Sequence, residues 1–314
     1  MKKQGMGMLL LVTALLLWNS REVSAGEYLT YGDFQYTYDA AEDSVCIRKY
    51  TGKEKAVTIP SEIGGKQVRY MGEVFSGNET LQKAVLPEGI RTVSGFDGCS
   101  SLKEVNIPES CTRIDYFAFA GCVKLQEVKL PNGLKEIGDY AFYNCRRLKE
   151  IRIPDSVKVL EQNAFCSCVR LEKVTLSKGL TCIEYEAFEG CKALLSVTIP
   201  NGVKVIEEKA FSSCTHLKKL TLPNTITSIR YCAFSHCGMK RITIPKNVTY
   251  IGTNAFWGCE NLKKVTIKSS RIKKMGTQPF VSIHEKAVFD VPNKCIRKYK
   301  KMIGYITEHE HVFY

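Results

Sequence analysis

The chain of 314 residues has 45 Lys and Arg against 32 Asp and Glu, 44% apolar residues, 14 Cys and 2 Trp, a composition that excludes intrinsic disorder. Its charge is unevenly placed: residues 26–210 hold 24 basic and 26 acidic side chains, net −2, while residues 211–314 hold 18 and 5, net +13. Any role for the positive excess therefore belongs to the C-terminal third.

In chain order, Lys2 and Lys3 precede an apolar run of eleven residues, Met8 to Trp18, and Val23-Ser24-Ala25 forms a small-residue cleavage site before Gly26. Residues 1–25 read as an export signal. The run is too short for a membrane span, which takes about 20 apolar residues, and no later stretch could span a bilayer. The mature chain is expected outside the cell, secreted or on the cell surface. Residues 26–71, with Tyr28, Tyr31, Phe34, Tyr36 and Tyr38 alternating before Val45-Cys46-Ile47, are expected to form an N-terminal β cap.

From about residue 72 to 268 the sequence repeats itself. Phe119, Phe142, Phe165, Phe188, Phe211 and Phe234 are spaced 23 apart, and Phe75, Phe96 and Phe256 extend the series. Three residues after the Phe stands Cys99, Cys122, Cys145, Cys168, Cys191, Cys214, Cys237 or Cys259, with Asn78 in the first copy. A Leu follows three further on, then a short alternating segment such as Val128-Lys129-Leu130 that closes on Pro131. Period-two alternation predicts a short strand with one buried face. The Pro, lacking an N–H, ends it at the same point in each copy. One such coil cannot bury its own apolar edge, so about nine coils of 21–23 residues are predicted to stack into a β-rich solenoid with a parallel sheet. At about 4.8 Å per coil the stack would be roughly 45 Å long. Residues 269–314 are expected to hold a degenerate last coil at Phe280, a strand at 287–291 and a cap with a short helix over 292–303 that starts at Pro292.

The pattern Ile137-Gly138-Asp139-Tyr140-Ala141-Phe142 through Cys145 and Leu148 to Ile151-Arg152-Ile153-Pro154 resembles the BspA-type (Treponema-type) leucine-rich repeat. Ser177 in place of Pro, Met239 in place of Leu after a one-residue deletion, and Gly95-Phe96 in place of Ala-Phe depart from it. The resemblance implies a right-handed leucine-rich-repeat stack in a secreted or cell-surface protein of host-associated microbes. It also implies a role in adhesion and binding, with no catalytic activity in the repeats.

Fourteen Cys in an exported protein would ordinarily suggest disulfides. Eight of them fall in one column, however, where side chains point alike into the coil interior, and the resemblance implies a ladder comparable to the Asn ladder of other leucine-rich repeats. There a thiol packs as a small hydrophobe and weak donor. Cys111 falls where other coils have Leu134, Val157 or Val203, which marks it as a core substitution. No metal and no cofactor is expected: no C-x-x-C pair occurs, and His309 and His311 read as a solvated tail. So many free thiols outside a cell would oxidise in air, which points to an anaerobic habitat.

The five histidines, His216, His236, His284, His309 and His311, form no nucleophile motif, and no enzyme is expected. The outward strand positions make columns instead. One reads Glu104, Glu127, Glu150, Lys173, Ser196, Lys219, Arg241, Lys264, and its neighbour reads Asn106, Lys129, Arg152 and then Thr175 to Thr266. Lys219, Arg241 and Lys264, reinforced by Lys218, Lys240 and Lys263, are the candidate ligand-binding residues. The expected partner is a host or bacterial surface protein or an anionic glycan, with no specific nucleic acid. The alternative is a structural envelope protein that self-assembles without a specific ligand.

Overall fold

A computed structural model describes residues 28–303 and 312–313, and in it equivalent residues of successive coils stand above one another. The residues read as an export signal, and His309 and His311, lie outside the described residues. From Phe119 to Phe234, neighbouring rings are 5.1–5.5 Å apart and within 14° of parallel. Each of these side chains is fully buried, a contribution of roughly 1.5–3 kcal/mol apiece. The stacking makes a β-solenoid of about 11 turns rather than about nine. The columns run on into both caps: Tyr50 lies on Phe75 at one end, and Phe280 on Phe256 at the other.

Each coil contributes to two parallel ladders. The front ladder includes Glu150–Arg152, Lys173–Thr175, Ser196–Thr198 and Lys219–Thr221, then Arg241–Ile244 and Lys264–Ile267. The back ladder includes Arg113–Ile114, Glu136–Ile137 and Val159–Leu160, then Cys182–Ile183 through Lys274–Met275. Between them the chain turns at each Pro, whose carbonyl accepts from the N–H three residues on, as in Val157 to Pro154 at 3.0 Å. At the opposite side, each Phe N–H from Phe96 to Phe234 donates to the Ala carbonyl of the next coil, as in Phe142 to Ala164 at 2.8 Å, while Phe75 and Phe256 donate to Gly95 O and Pro279 O.

The three departures from the repeat have local causes. Ser177 replaces the ring of Pro with hydrogen bonds: its buried hydroxyl donates to Val157 O at 2.6 Å and accepts from Gly179 N at 3.0 Å. Gly95 has φ +77, and a Cβ there would lie 2.1 Å from Gly72 O, so Ala cannot replace it. Met239 is fully buried in the Leu column, while Gly238 in the shortened turn sits so close to the coil below that a Cβ would lie 2.2 Å from Thr215 O.

The cap strands Leu29–Tyr31, Phe34–Asp39 and Ser44–Tyr50 pair antiparallel; Ser44–Tyr50 then pairs parallel with Lys66–Met71, and Ala56–Thr58 with Lys83–Val85, so the solenoid winding is under way before residue 66. At the other end Val288–Asp290 continues the front ladder. Pro292 precedes a 3₁₀ turn, Asn293–Cys295, that leads into the helix Ile296–Ile303. Tyr299 of this helix is fully buried and donates to Ser269 O at 2.8 Å. The strand Val312–Phe313, which the sequence reading did not foresee, pairs with Val288–Asp290 and covers the last edge.

Candidate binding surface

The surface is built on the thiol column beneath it. Cys99, Cys122, Cys145, Cys168, Cys191, Cys214, Cys237 and Cys259 each donate to the carbonyl of the Phe one coil earlier, at 3.1–3.2 Å. From Phe75 to Phe211 the same carbonyl also accepts the backbone N–H three residues on, as Phe119 O does from Cys122 N at 3.1 Å, so the thiol is a second donor to an acceptor that water cannot reach. All fourteen cysteines are free; Cys182 is half-buried and the others are buried. Burial pushes the thiols of Cys99 and Cys259 up to about 12, and those of Cys111 and Cys166 up to about 11. Cys111 is a core residue, as its column position predicts. Thiols that are inaccessible and protonated resist oxidation, so the expectation of an anaerobic habitat loses its chemical reason.

On this base the front ladder holds outward side chains in register. Glu127 pairs with Glu150, Glu150 with Lys173, Lys173 with Ser196, and Ser196 with Lys219. Lys173 Nζ lies 2.6 Å from Glu150, the point where the column changes sign. All six candidate residues, Lys218, Lys219, Lys240, Arg241, Lys263 and Lys264, are exposed. Arg241 stands directly opposite Lys264 and Thr243 opposite Thr266. Of the six, Lys264 alone makes an ion pair among the described residues, with Asp290 at 3.6 Å.

The structure does not bring all six into one sheet. No ladder joins Lys219–Thr221 to Arg241–Ile244 among the described residues, so Lys218 and Lys219 end one sheet and the other four open the next. The one-residue deletion at Gly238 shortens the turn that feeds the strand, and Leu220 and Leu222 become half-exposed at the opening. A second opening lies between the coils of Glu104 and Glu127, where the hollow on the strand face has a volume of about 1070 Å³.

Two groups off the strand face come from the fold rather than from sequence spacing. Cys166, Glu186 and Glu189 bring their ligand atoms within 4.8 Å of one another. Lys209 Nζ is 2.7 Å from Glu186 and lies over the Tyr185 ring at 5.8 Å. Burial opposes the charge of Glu186, but hydrogen bonds from Lys209 and Tyr185 outweigh it and its pKa falls. Burial, and then the charge of Glu186, raise Glu189 to about 7. The cluster thus carries its own counter-ion. The second group is aromatic: Phe117 stacks on Tyr140 at 4.7 Å, flanked by Tyr116 and Tyr143. Among the histidines, His216 is exposed and His236 is half-buried against the edge of Trp257 at 4.4 Å.

The family described as BspA type leucine rich repeat region matches in six copies, over residues 93–217 and 181–302. A solved leucine-rich repeat protein from Bacteroides ovatus ATCC 8483 aligns with a TM-score of 0.76 and 27% identity, over 84% of this chain and 70% of that one. A leucine-rich repeat protein of T. pallidum aligns at 0.49 and 23% identity, over 92% of this chain and 100% of that one. A leucine rich cell surface protein of Faecalibacterium prausnitzii A2-165 aligns at 0.41 and 22%, over 81% and 95%. No curated protein matches.

Proposed function

This chain belongs to the BspA-type leucine-rich repeat family, and from that premise we propose that it is an exported, non-catalytic binding protein of the cell surface or its surroundings. It presents the front ladder to a host or cell-surface macromolecule, and the basic coils dock anionic glycan. The observation that carries the reading is the exposed register pair of Arg241 and Lys264, flanked by Lys240 and Lys263, on a sheet whose own carboxylates leave most of that charge uncompensated. Like charges stacked on one sheet repel. A polyanion lying along the column would relieve this repulsion and would bind less tightly as salt rises. The export signal read at residues 1–25 supplies the route out of the cell.

The test is binding of heparin and of wall glycans across a salt series by the protein and by a triple variant, Lys219→Thr, Arg241→Thr and Lys264→Thr. The reading requires weaker binding by the variant and a shallower salt dependence. Equal, salt-insensitive binding refutes it. Sedimentation at rising concentration separates the binding role from the self-assembling one.

A further inference from the structure

We infer that the opening between the coils of Glu104 and Glu127 is a docking site for an extended peptide segment of a partner protein, held by main-chain pairing and by a pair of charges two residues apart. The inference concerns the N-terminal half of the strand face and does not rest on glycan docking at the basic coils.

The first observation is the backbone. In neighbouring coils, strand N–H groups bond the carbonyl of the coil before: Lys103 N and Glu104 N to Gln82 O at 2.9 and 3.3 Å, and Glu172 N and Lys173 N to Lys149 O at 2.8 and 3.3 Å. The corresponding bonds from Gln126 and Glu127 to Lys103 O are absent among the described residues. At the far end of the strand Ile107 N makes no bond to Lys129 O among the described residues, an absence shared with Leu130 and Leu176, so the missing bonds of Gln126 and Glu127 are what mark the opening. The coils still stack behind the opening. Phe96 and Phe119 are 5.2 Å apart, and Arg113 pairs with Glu136 in the back ladder. The front has therefore opened on an intact spine, leaving strand donors and acceptors facing a hollow of about 1070 Å³. Val105 and Leu130 are half-exposed there, although their equivalents Ile151 and Ile153 are buried. Such an edge is what an added strand recognises.

The second observation is charge. Glu104, Glu127 and Glu150 are consecutive in one column. Lys83 draws Glu104 away on one side at 2.9 Å, and Lys173 draws Glu150 away on the other at 2.6 Å. Glu127 between them has no ion-pair partner among the described residues, and neither have Lys129 and Arg152 in the adjoining column. What the opening leaves exposed is a carboxylate beside two cations. A strand seated there meets Glu127 with a basic side chain and Lys129 and Arg152 with an acidic one, two residues apart because strand side chains alternate.

Binding is measured by fluorescence anisotropy with two labelled heptapeptides, Thr-Val-Lys-Val-Glu-Val-Thr and Thr-Val-Glu-Val-Lys-Val-Thr, which offer the charge pair in either chain direction. One of the two should bind at least tenfold tighter than the charge-free peptide with Thr at both positions. Methylating alternate main-chain nitrogens of the better peptide should weaken it at least tenfold on the unaltered protein. Lys129→Glu with Arg152→Glu should weaken it likewise, and replacing the peptide's Glu by Lys should restore binding to that variant. The triple variant at Lys219, Arg241 and Lys264 should bind the peptide unchanged. Absence of binding by both peptides, indifference to nitrogen methylation, or substitutions at Lys129 and Arg152 that alter only glycan binding or self-association each overturn the inference.

Discussion

The Cys145 thiol donates to the carbonyl oxygen of Phe119 at 3.2 Å, and the Phe119 ring lies 5.3 Å from that of Phe142 in the coil of Cys145. One residue thus serves two columns: its side chain builds the aromatic spine while its carbonyl is closed off by sulfur.

Replacing Cys145 by Ala removes that donor and leaves a small void beside a fully buried carbonyl. Phe119 O keeps its bond from Cys122 N at 3.1 Å, so the expected loss is roughly 1–2 kcal/mol, from one hydrogen bond together with the missing sulfur contacts. Chemical denaturation followed by circular dichroism measures it. A loss below about 0.5 kcal/mol would mean that the thiol is mere filling.

Thiol reagents at pH 8 should find almost nothing in the native protein. Only Cys182 is half-buried, and burial followed by the charge of Glu184 holds even its proton more firmly than usual. Titration after denaturation should find all 14. A purified sample that yields few thiols even when unfolded would show that disulfides form.

The same burial sets an alkaline limit. Cys99 and Cys259 lose their protons near 9.0 when unfolded and at about 12 when folded. Between these values the native chain binds more protons, so their contribution is complete below pH 9 and disappears as pH rises towards 12. Stability should fall through this window, and less steeply in a Cys99→Ser, Cys259→Ser variant once its lower baseline is subtracted.

Glu189 gives the opposite end of the pH range. Its pKa of about 7, raised first by burial and then by Glu186, exceeds the ordinary 4.5, so stability falls as pH rises from 4.5 to 7. Glu189→Gln keeps the shape without the charge. Relative to the unaltered protein it should gain stability at pH 8 and nothing at pH 4, read from denaturation midpoints.

Arg241 and Lys264 face each other across the ladder, a repulsion of the order of 0.2–1 kcal/mol. Arg241→Thr should leave the protein equally or slightly more stable at low salt while weakening heparin retention. A clear loss of stability would assign the residue to the fold rather than to a ligand.

Much of this architecture was legible because the repeat averages over its own exceptions. A Phe every 23 residues, a Cys three later and a closing Pro define the coil even where Ser177 or Gly95 breaks the pattern. The outward columns followed from alternation alone, and the registers of Glu150 with Lys173 and Arg241 with Lys264 match them. The added strand Val312–Phe313 lacked such support, since it occurs once and lies after the helix.

Periodicity in the amino-acid order was enough to determine the stacked coil, its aromatic and thiol columns and the family, because one favourable coil repeated many times has a single way to bury its edge. Where the front ladder parts was decided only in three dimensions. It parts between Glu104 and Glu127, and again between Lys219 and Arg241, where repulsion, nearby counter-ions and turn length compete by less than the energy that stacks the core. The meeting of Cys166, Glu186, Glu189 and Lys209 likewise joins residues from three coils, a proximity that exists only after the chain has wound.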